Sequence, residues 1–253
     1  MNKKSAIVIG AGIVGLAITR ALHLQGWKVT VIERHPQAQG ASVRNFGMVW
    51  PVGQPQGPNY QRAIRSREIW LEMSQKAGFH AEKTGALHLA YTDLEMQIVE
   101  EYVAAMQGKK SAVLLNPNQV EEKSPAAKLE NLKGALWTEE EVIVDPREAI
   151  AKTAAYLEAL PDVDFIWNRA ISSIQGNTVI SGQKSWSADR IFVCSGADFE
   201  TLFPEVFEET PITKCKLQMM RLVKQPDHWR IGPPLCAGLS FTHYKGFEVA
   251  PSL

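Results

Sequence analysis

The first 33 residues constrain this chain more than any other stretch. Ala6-Ile7-Val8-Ile9 is a short, wholly apolar run rich in β-branched residues, as expected of a strand buried on both faces of a parallel sheet. It leads directly into Gly10-Ala11-Gly12-Ile13-Val14-Gly15. Apolar residues at 16, 18, 21, 22 and 24 then keep helical spacing until Gly26, which suits a helix C′ position. Val29, Val31 and Ile32 predict a second strand, with Glu33 at its end. Such a βαβ unit gives each residue a task. Gly10 makes the tight turn, Gly12 lets the backbone approach a pyrophosphate, and Gly15 lets helix and sheet pack closely. The helix start at Ile13 and Val14 offers free N–H groups, worth about 0.3–1 kcal/mol to a nearby anion. Glu33 is placed to accept two ribose hydroxyls, each bond contributing about 1.5–3 kcal/mol. The pattern predicts a dinucleotide site, and the plainer alternative is a glycine-rich structural turn. The carboxylate of Glu33 would repel a 2′-phosphate, although Arg34 beside it keeps a phosphorylated dinucleotide open.

Composition narrows the remaining classes. The 253 residues are 45% hydrophobic and 21% charged, with 27 basic and 27 acidic side chains. That balance fits a soluble globular chain and provides no basic excess for a phosphate backbone, so no nucleic-acid partner is expected. Three cysteines, Cys194, Cys215 and Cys236, form no CxxC, which argues against a disulfide framework. Six histidines show no ligand spacing, so no metal is expected. Asn2-Lys3-Lys4 followed by apolar residues to Ile18 has the outline of a secretory signal. Glycines at 10, 12 and 15 interrupt the run, which is also short of the about 18 residues a membrane span needs. A cytoplasmic location is the expectation.

Residues 36–58 read as a long loop, and a loop of that length in a compact domain is usually functional. Helical patterns follow at Gln61–Lys76 and Asp93–Met106, with a strand at Gly85–Ala90 between them. A short helix over Asn116–Ser124 has Asn116 as cap and Pro117 at N1. Brief strands are predicted at Ala135–Trp137 and Val142–Val144, and Asp145 with Pro146 opens a helix to Leu160. Further strands are expected at Phe165–Trp167, Ile171–Ile174, Thr178–Ile180, Arg190–Val193, Lys216–Val223 and Gly246–Val249. The sum is an α/β domain interleaved with an antiparallel sheet layer.

Several of these segments carry a family resemblance. Gly10-Ala11-Gly12-Ile13-Val14-Gly15-Leu16-Ala17, Glu33-Arg34 and Ile191-Phe192-Val193-Cys194-Ser195-Gly196-Ala197 resemble the FAD-dependent D-amino acid oxidase and glycine oxidase superfamily. Ala41-Ser42-Val43-Arg44-Asn45-Phe46-Gly47-Met48, with Gly85-Ala86-Leu87 and Val144-Asp145-Pro146, resembles a narrower branch associated with aminophosphonate catabolism. The resemblance implies a Rossmann-type FAD-binding domain (1–83 and 139–212) interleaved with an antiparallel-sheet α+β substrate domain (84–138 and 213–253). It implies that Glu33 and Arg34 hold the adenosine ribose, while Ser42, Arg44 and Asn45 line the pyrophosphate and ribityl path. Phe46, Gly47 and Met48 would lie beside the isoalloxazine, Ala170 and Ile171 against adenine, and Ser195 with Gly196 over the dinucleotide. Relatives often carry Ala-Ala-Gly or Ala-Thr-Gly where this chain has Cys194-Ser195-Gly196, a small, volume-compatible swap.

Plainer readings stand beside these. Arg44 could cap a surface loop, and Cys194 reads as an apolar filler. Arg221 and Tyr244 are the substrate-binding candidates, against a solvated strand edge for the first and a packed aromatic for the second. No catalytic dyad is visible, which suits chemistry carried by a cofactor. The expected function is oxidation of the C–N bond of a small amine, amino acid or aminophosphonate, with oxygen or another acceptor taking the electrons. The alternatives are an NAD-dependent dehydrogenase, a nucleotide-binding module, or a non-catalytic fragment. The last arises because superfamily relatives run roughly 100 residues longer. The expectation is that these 253 residues alone bind FAD weakly or not at all and turn over no amine.

Overall fold

The computed structural model describes residues 3–253, so Met1 and the Asn2 of the basic start lie outside it. In chain order the first half holds β1 (Ser5–Ile9), α1 (Ile13–Leu24), β2 (Lys28–Ile32), β3 (Met48–Val49), α2 (Pro58–Ala77), β4 (Ala81–Lys83), β5 (Ala86–Ala90), α3 (Asp93–Met106), β6 (Val113–Leu115) and α4 (Pro117–Lys123). The second half holds β7 (Gly134–Thr138), β8 (Val142–Val144), α5 (Pro146–Glu158), β9 (Val163–Ile166), β10 (Ser173–Gln175), β11 (Thr178–Ser181), β12 (Lys184–Ser187), β13 (Arg190–Val193), α6 (Pro204–Glu208), β14 (Leu235–Cys236) and α7 (Leu239–His243). The chain divides into two units. One comprises residues 1–46, 75–79 and 145–220, the other 47–74, 80–144 and 221–253.

The first unit is built on a parallel sheet of order β13-β1-β2-β9. The central strand β1 is almost completely buried, which is why its sequence is apolar at every position from Ala6 to Ile9. Ile7, Ile9 and Ile32 face one core with Ile171, Val179 and Leu202. Ala6, Val8, Val29 and Val31 face the other with Leu22. An antiparallel meander of β10, β11 and β12 completes the unit. Helix α5 starts where expected, because the Asp145 carboxylate accepts the Arg147 amide and Pro146 occupies N1.

The second unit carries a four-stranded sheet of order β14-β5-β7-β6, in which β5, β7 and β6 are antiparallel, and a small sheet of order β3-β8-β4. Helix α3 begins at a complete capping box between Thr92 and Glu95, and α4 at one between Asn116 and Gln119. Its main core gathers Val52, Val99, Tyr102, Leu136, Phe241 and Phe247.

Four expectations are corrected here. The loop over 36–58 contains 3-10 turns at Ala41–Val43 and Pro51–Gly53 and the strand β3, because β8 supplies β3 with an antiparallel partner. The strand expected at Ile171–Ile174 starts later, at Ser173. Lys216–Val223 forms no strand; its pattern suits one, but among the described residues no neighbouring strand offers it a ladder. At Gly246–Val249 the chain turns instead, with a 3-10 turn at Lys245–Phe247 and Phe247 fully buried.

His88, on the central strand β5, is fully buried with both ring nitrogens unpartnered. The rings of Trp50, Phe241 and Phe247 surround it at 5.1–6.0 Å. Burial pushes its pKa down to about 3, so the folded protein holds the neutral imidazole. The unfolded chain binds the proton from about pH 6.5 downward, whereas the folded one does not. His88 therefore contributes no penalty above pH 6.5, and stability is lost progressively as the pH falls from there towards 3. We expect a slope of up to about 1.4 kcal/mol per pH unit from this group. Urea denaturation at pH 7 and pH 5 should show that His88→Leu loses distinctly less stability on acidification than the wild type.

Candidate cofactor site

At the C-terminal ends of β1, β2 and β13 the first unit forms a cradle around a cavity of about 300 Å³. The turn after β1 can be made only by glycine at two positions. Gly10 has φ +104°, and a Cβ there would stand 2.4 Å from the carbonyl oxygen of Cys194. A Cβ on Gly15 would stand 1.9 Å from the carbonyl oxygen of Gly10, so α1 sits directly on the turn. Gly12 is the N-cap of α1 and supplies no side-chain cap. The first-turn amides therefore gain no partner from the cap residue, although that of Ile13, expected to be free, is taken by Ser42. The Ile13 amide donates to Ser42 Oγ at 3.0 Å, which brings the 41–43 turn over the helix start.

Glu33 is nearly buried at the end of β2. One carboxylate oxygen accepts the Ala11 amide at 2.8 Å and the other the His35 amide at 3.0 Å. A carboxylate has about four lone-pair sites, so two remain for ribose hydroxyls. The opposite wall contains Arg169, Ala170 and Ile171, where the chain leaves β9. The Arg169 amide donates to the Glu33 carbonyl at 2.8 Å, while its Nε is buried without a partner. A buried, unpartnered guanidinium donor in the wall of a cavity is suited to an acceptor on a bound ligand. Ser195, Gly196 and Asp198, beyond β13, form the third side.

The cavity thus gathers Gly10, Gly12, Glu33, Arg34, Ser42, Ala170, Ile171, Ser195 and Gly196. Ile13, Val14 and Gly15 form the adjoining helix turn. Arg44 and Phe46 are exposed, and Asn45 ties its own loop by donating to the carbonyls of Ala41 and Ser42. Gly47 has φ +71°, its carbonyl accepts the Val144 amide, and Met48 pairs with Ile143 in the small sheet of the second unit. Arg221 is exposed and outside any regular element, and Tyr244 is half-buried with its ring 6.3 Å from that of Trp50. No hydrogen bond, ion pair or ring contact among the described residues joins Arg221 to Tyr244. Arg169 was missed by sequence reasoning. In the sequence it is only a lone cation two residues beyond the predicted strand at 165–167, and its backbone bond to Glu33 comes from the fold. Among the described residues no cluster could hold a metal, and no helix is long and apolar enough to cross a membrane.

The family model described as FAD dependent oxidoreductase matches residues 5–252. The chain belongs to this family. Its cofactor is FAD, and the cradle fits it, with a glycine-capped helix start on the pyrophosphate side, spare lone pairs on Glu33 for ribose, and a buried Arg169 Nε without a protein acceptor. The FAD-dependent oxidoreductase is 28% identical over 235 residues to the tRNA 5-methylaminomethyl-2-thiouridine biosynthesis bifunctional protein MnmC of Pseudomonas entomophila, covering 87% of this chain and 33% of that protein. Its fold is similar to that of L-proline dehydrogenase from P. horikoshii (TM-score 0.67, 24% identity, 78% of this chain and 54% of that one). It is similar also to that of glycine oxidase from Geobacillus kaustophilus (TM-score 0.68, 20% identity, 78% and 56%). The chain spans about a third of the length of the curated relative and about half that of each structural neighbour.

Replacing Glu33 with alanine removes the tether on the Ala11 amide together with the spare acceptor sites that suit a ribose. Glu33→Ala is expected to weaken FAD binding by about 1–3 kcal/mol, or roughly fivefold to 150-fold, in a reconstitution titration.

Proposed function

We propose that this flavoprotein oxidises the C–N bond of a small amine, with an amino acid or aminophosphonate as the substrate class. The observation that carries the reading is the nearly buried Glu33 at the head of a glycine turn, in a chain of the FAD-dependent oxidoreductase family. FAD, when held by this cradle, would supply the redox chemistry, a two-electron oxidation of the amine to an imine that water would hydrolyse to a carbonyl compound. The protein's task is to hold and orient. Amides at the start of α1 hold the pyrophosphate, Glu33 the ribose, and Ala170 and Ile171 the adenine. Arg44, Asn45, Phe46, Gly47 and Met48 lead from the pyrophosphate path to the isoalloxazine.

The first unit is the cofactor domain in this reading, and the second provides the substrate sheet. An anionic end on the substrate calls for a guanidinium, and Arg221 is the residue we assign to it. Tyr244, whose phenol is pushed up in pKa by burial and so stays protonated, is the accompanying hydrogen-bond donor. Two named neighbours, L-proline dehydrogenase and glycine oxidase, are described as acting on amino acids, which supports the class and not a particular member. The narrower likeness to the aminophosphonate branch rests on residues 41–48, 85–87 and 144–146. The relative from Pseudomonas entomophila is named for a tRNA modification that also contains an amine. The zero net charge of this chain favours a small substrate over a polyanion.

An absorption spectrum tests the proposal. Against the expectation that this chain alone binds FAD weakly and turns over no amine, this reading requires the purified protein to be yellow, and anaerobic addition of a substrate amine to bleach the flavin band, with colour returning on admission of oxygen or another acceptor. A colourless protein that binds NAD instead would replace this reading with that of a dehydrogenase. A yellow protein bleached by no amino acid or aminophosphonate would leave the cofactor assignment standing and remove the substrate class.

A further inference from the structure

The residue after Glu33 raises a separate question. A guanidinium beside the ribose carboxylate is the group that could receive a 2′-phosphate, so Arg34 leaves the choice of nucleotide undecided in the sequence. Its partner decides the matter. Arg34 donates from a terminal guanidinium nitrogen to one carboxylate oxygen of Asp198, which lies beyond β13. The other oxygen of Asp198 accepts the amides of Glu200 and Thr201, each at 3.1 Å. Asp198 is itself fixed in a turn, its amide donating to the Ser195 carbonyl and its carbonyl accepting Ser195 Oγ. Its side chain is only 17% exposed and that of Arg34 37%. Burial alone would raise the pKa of this carboxyl. Hydrogen bonds from Thr201, from Arg34 and from the two amides outweigh that and hold it well below the usual carboxylate range. Arg34, Asp198 and Glu33 all line the one cavity.

We propose that Asp198 is a specificity-determining residue of the nucleotide cradle, which by engaging Arg34 bars dinucleotides phosphorylated on the adenosine 2′-oxygen. The inference rests on the cofactor reading of this cradle. A 2′-phosphate brought to Glu33 would meet two carboxylates, with the adjoining guanidinium already neutralised by one of them. Adenosine with a free 2′-hydroxyl brings no charge and needs only the acceptor that Glu33 supplies. The ion pair also ties the end of β2 to the turn after β13, the two chain segments that flank the ribose position.

The test uses the full chain and two probes, FAD and adenosine 2′,5′-bisphosphate, followed by titration calorimetry. Asp198→Asn keeps an amide oxygen for the Glu200 and Thr201 N–H groups and releases Arg34. The wild type should bind FAD and show no measurable binding of the bisphosphate. Asp198→Asn should gain at least tenfold in bisphosphate affinity, and the double variant Arg34→Ala/Asp198→Asn should lose that gain. An unchanged bisphosphate affinity in Asp198→Asn overturns the proposal, as does a gain that survives in the double variant. Bisphosphate binding by the wild type, with Arg169 as the phosphate partner, overturns it too. If Asp198→Asn does not fold, Asp198→Ser carries the same expectations. A wild type that binds no FAD fails at the cofactor reading and takes this inference with it. A wild type that binds FAD beside an Asp198→Asn variant without gain fails this inference alone.

Discussion

The first unit depends on a contact that leaves no room for a side chain. Helix α1 rests on the turn after β1 so closely that a Cβ on Gly15 would overlap the Gly10 carbonyl oxygen. Gly10 in turn lies against the Cys194 carbonyl, which fixes β13 beside β1. Only this closeness lets the first amides of α1, the carboxylate at the end of β2 and the turn after β13 face one cavity. The Glu33–Ala11 bond then reinforces the turn from the side, so the residue expected to hold the ribose also holds the backbone that would face the pyrophosphate. In that reading binding and folding share the same groups, and the cradle is formed within the protein's own hydrogen bonds.

A different device organises the second unit. Glu141 is a fully buried carboxylate whose oxygens accept the Val52 amide at 3.0 Å and the Thr138 hydroxyl at 2.5 Å. Its carbonyl accepts the amides of Thr84 and Gly85, so one residue anchors the connection between β4 and β5 as well as the 51–53 turn. Burial raises the pKa of this carboxyl, partly opposed by the hydrogen bonds from Thr138 and Val52. On the other side of the same turn the Lys110 ammonium donates to the carbonyls of Val52 and Gln54 and to the Tyr102 hydroxyl, and sits 4.3 Å from the centre of the Tyr60 ring. Burial pushes its pKa down to about 8. Val52 is thereby gripped at both its N–H and its C=O by charged groups distant in sequence, directly after the strand that begins at Met48.

Much of this was legible in the residues. The apolar run of β1, the three glycines, the spacing of α1 and Glu33 specify a βαβ cradle because each is a local requirement of backbone geometry or burial. The same holds for α3, α4 and α5, whose caps at Thr92, Asn116 and Asp145 are satisfied by residues two or three positions away. The class of ligand also follows from this local pattern.

Pairing was decided elsewhere. β3 exists because Val142 and Ile143 come alongside Val49 and Met48, and Lys216–Val223, with as good a strand pattern, lacks such a partner among the described residues. The partner of Arg34 lies 164 residues away, and no spacing in the sequence connects them. Glu141 reads as an ordinary charged residue until tertiary contacts bury it, and Arg169 until they bury its Nε. The sequence by itself determined the turns, caps and apolar faces, because these are settled between near neighbours along the chain. The ladders, the buried charges and the Arg34–Asp198 pair were decided only by tertiary structure, because a strand edge or a charge acquires its energy from the group that the fold sets opposite it.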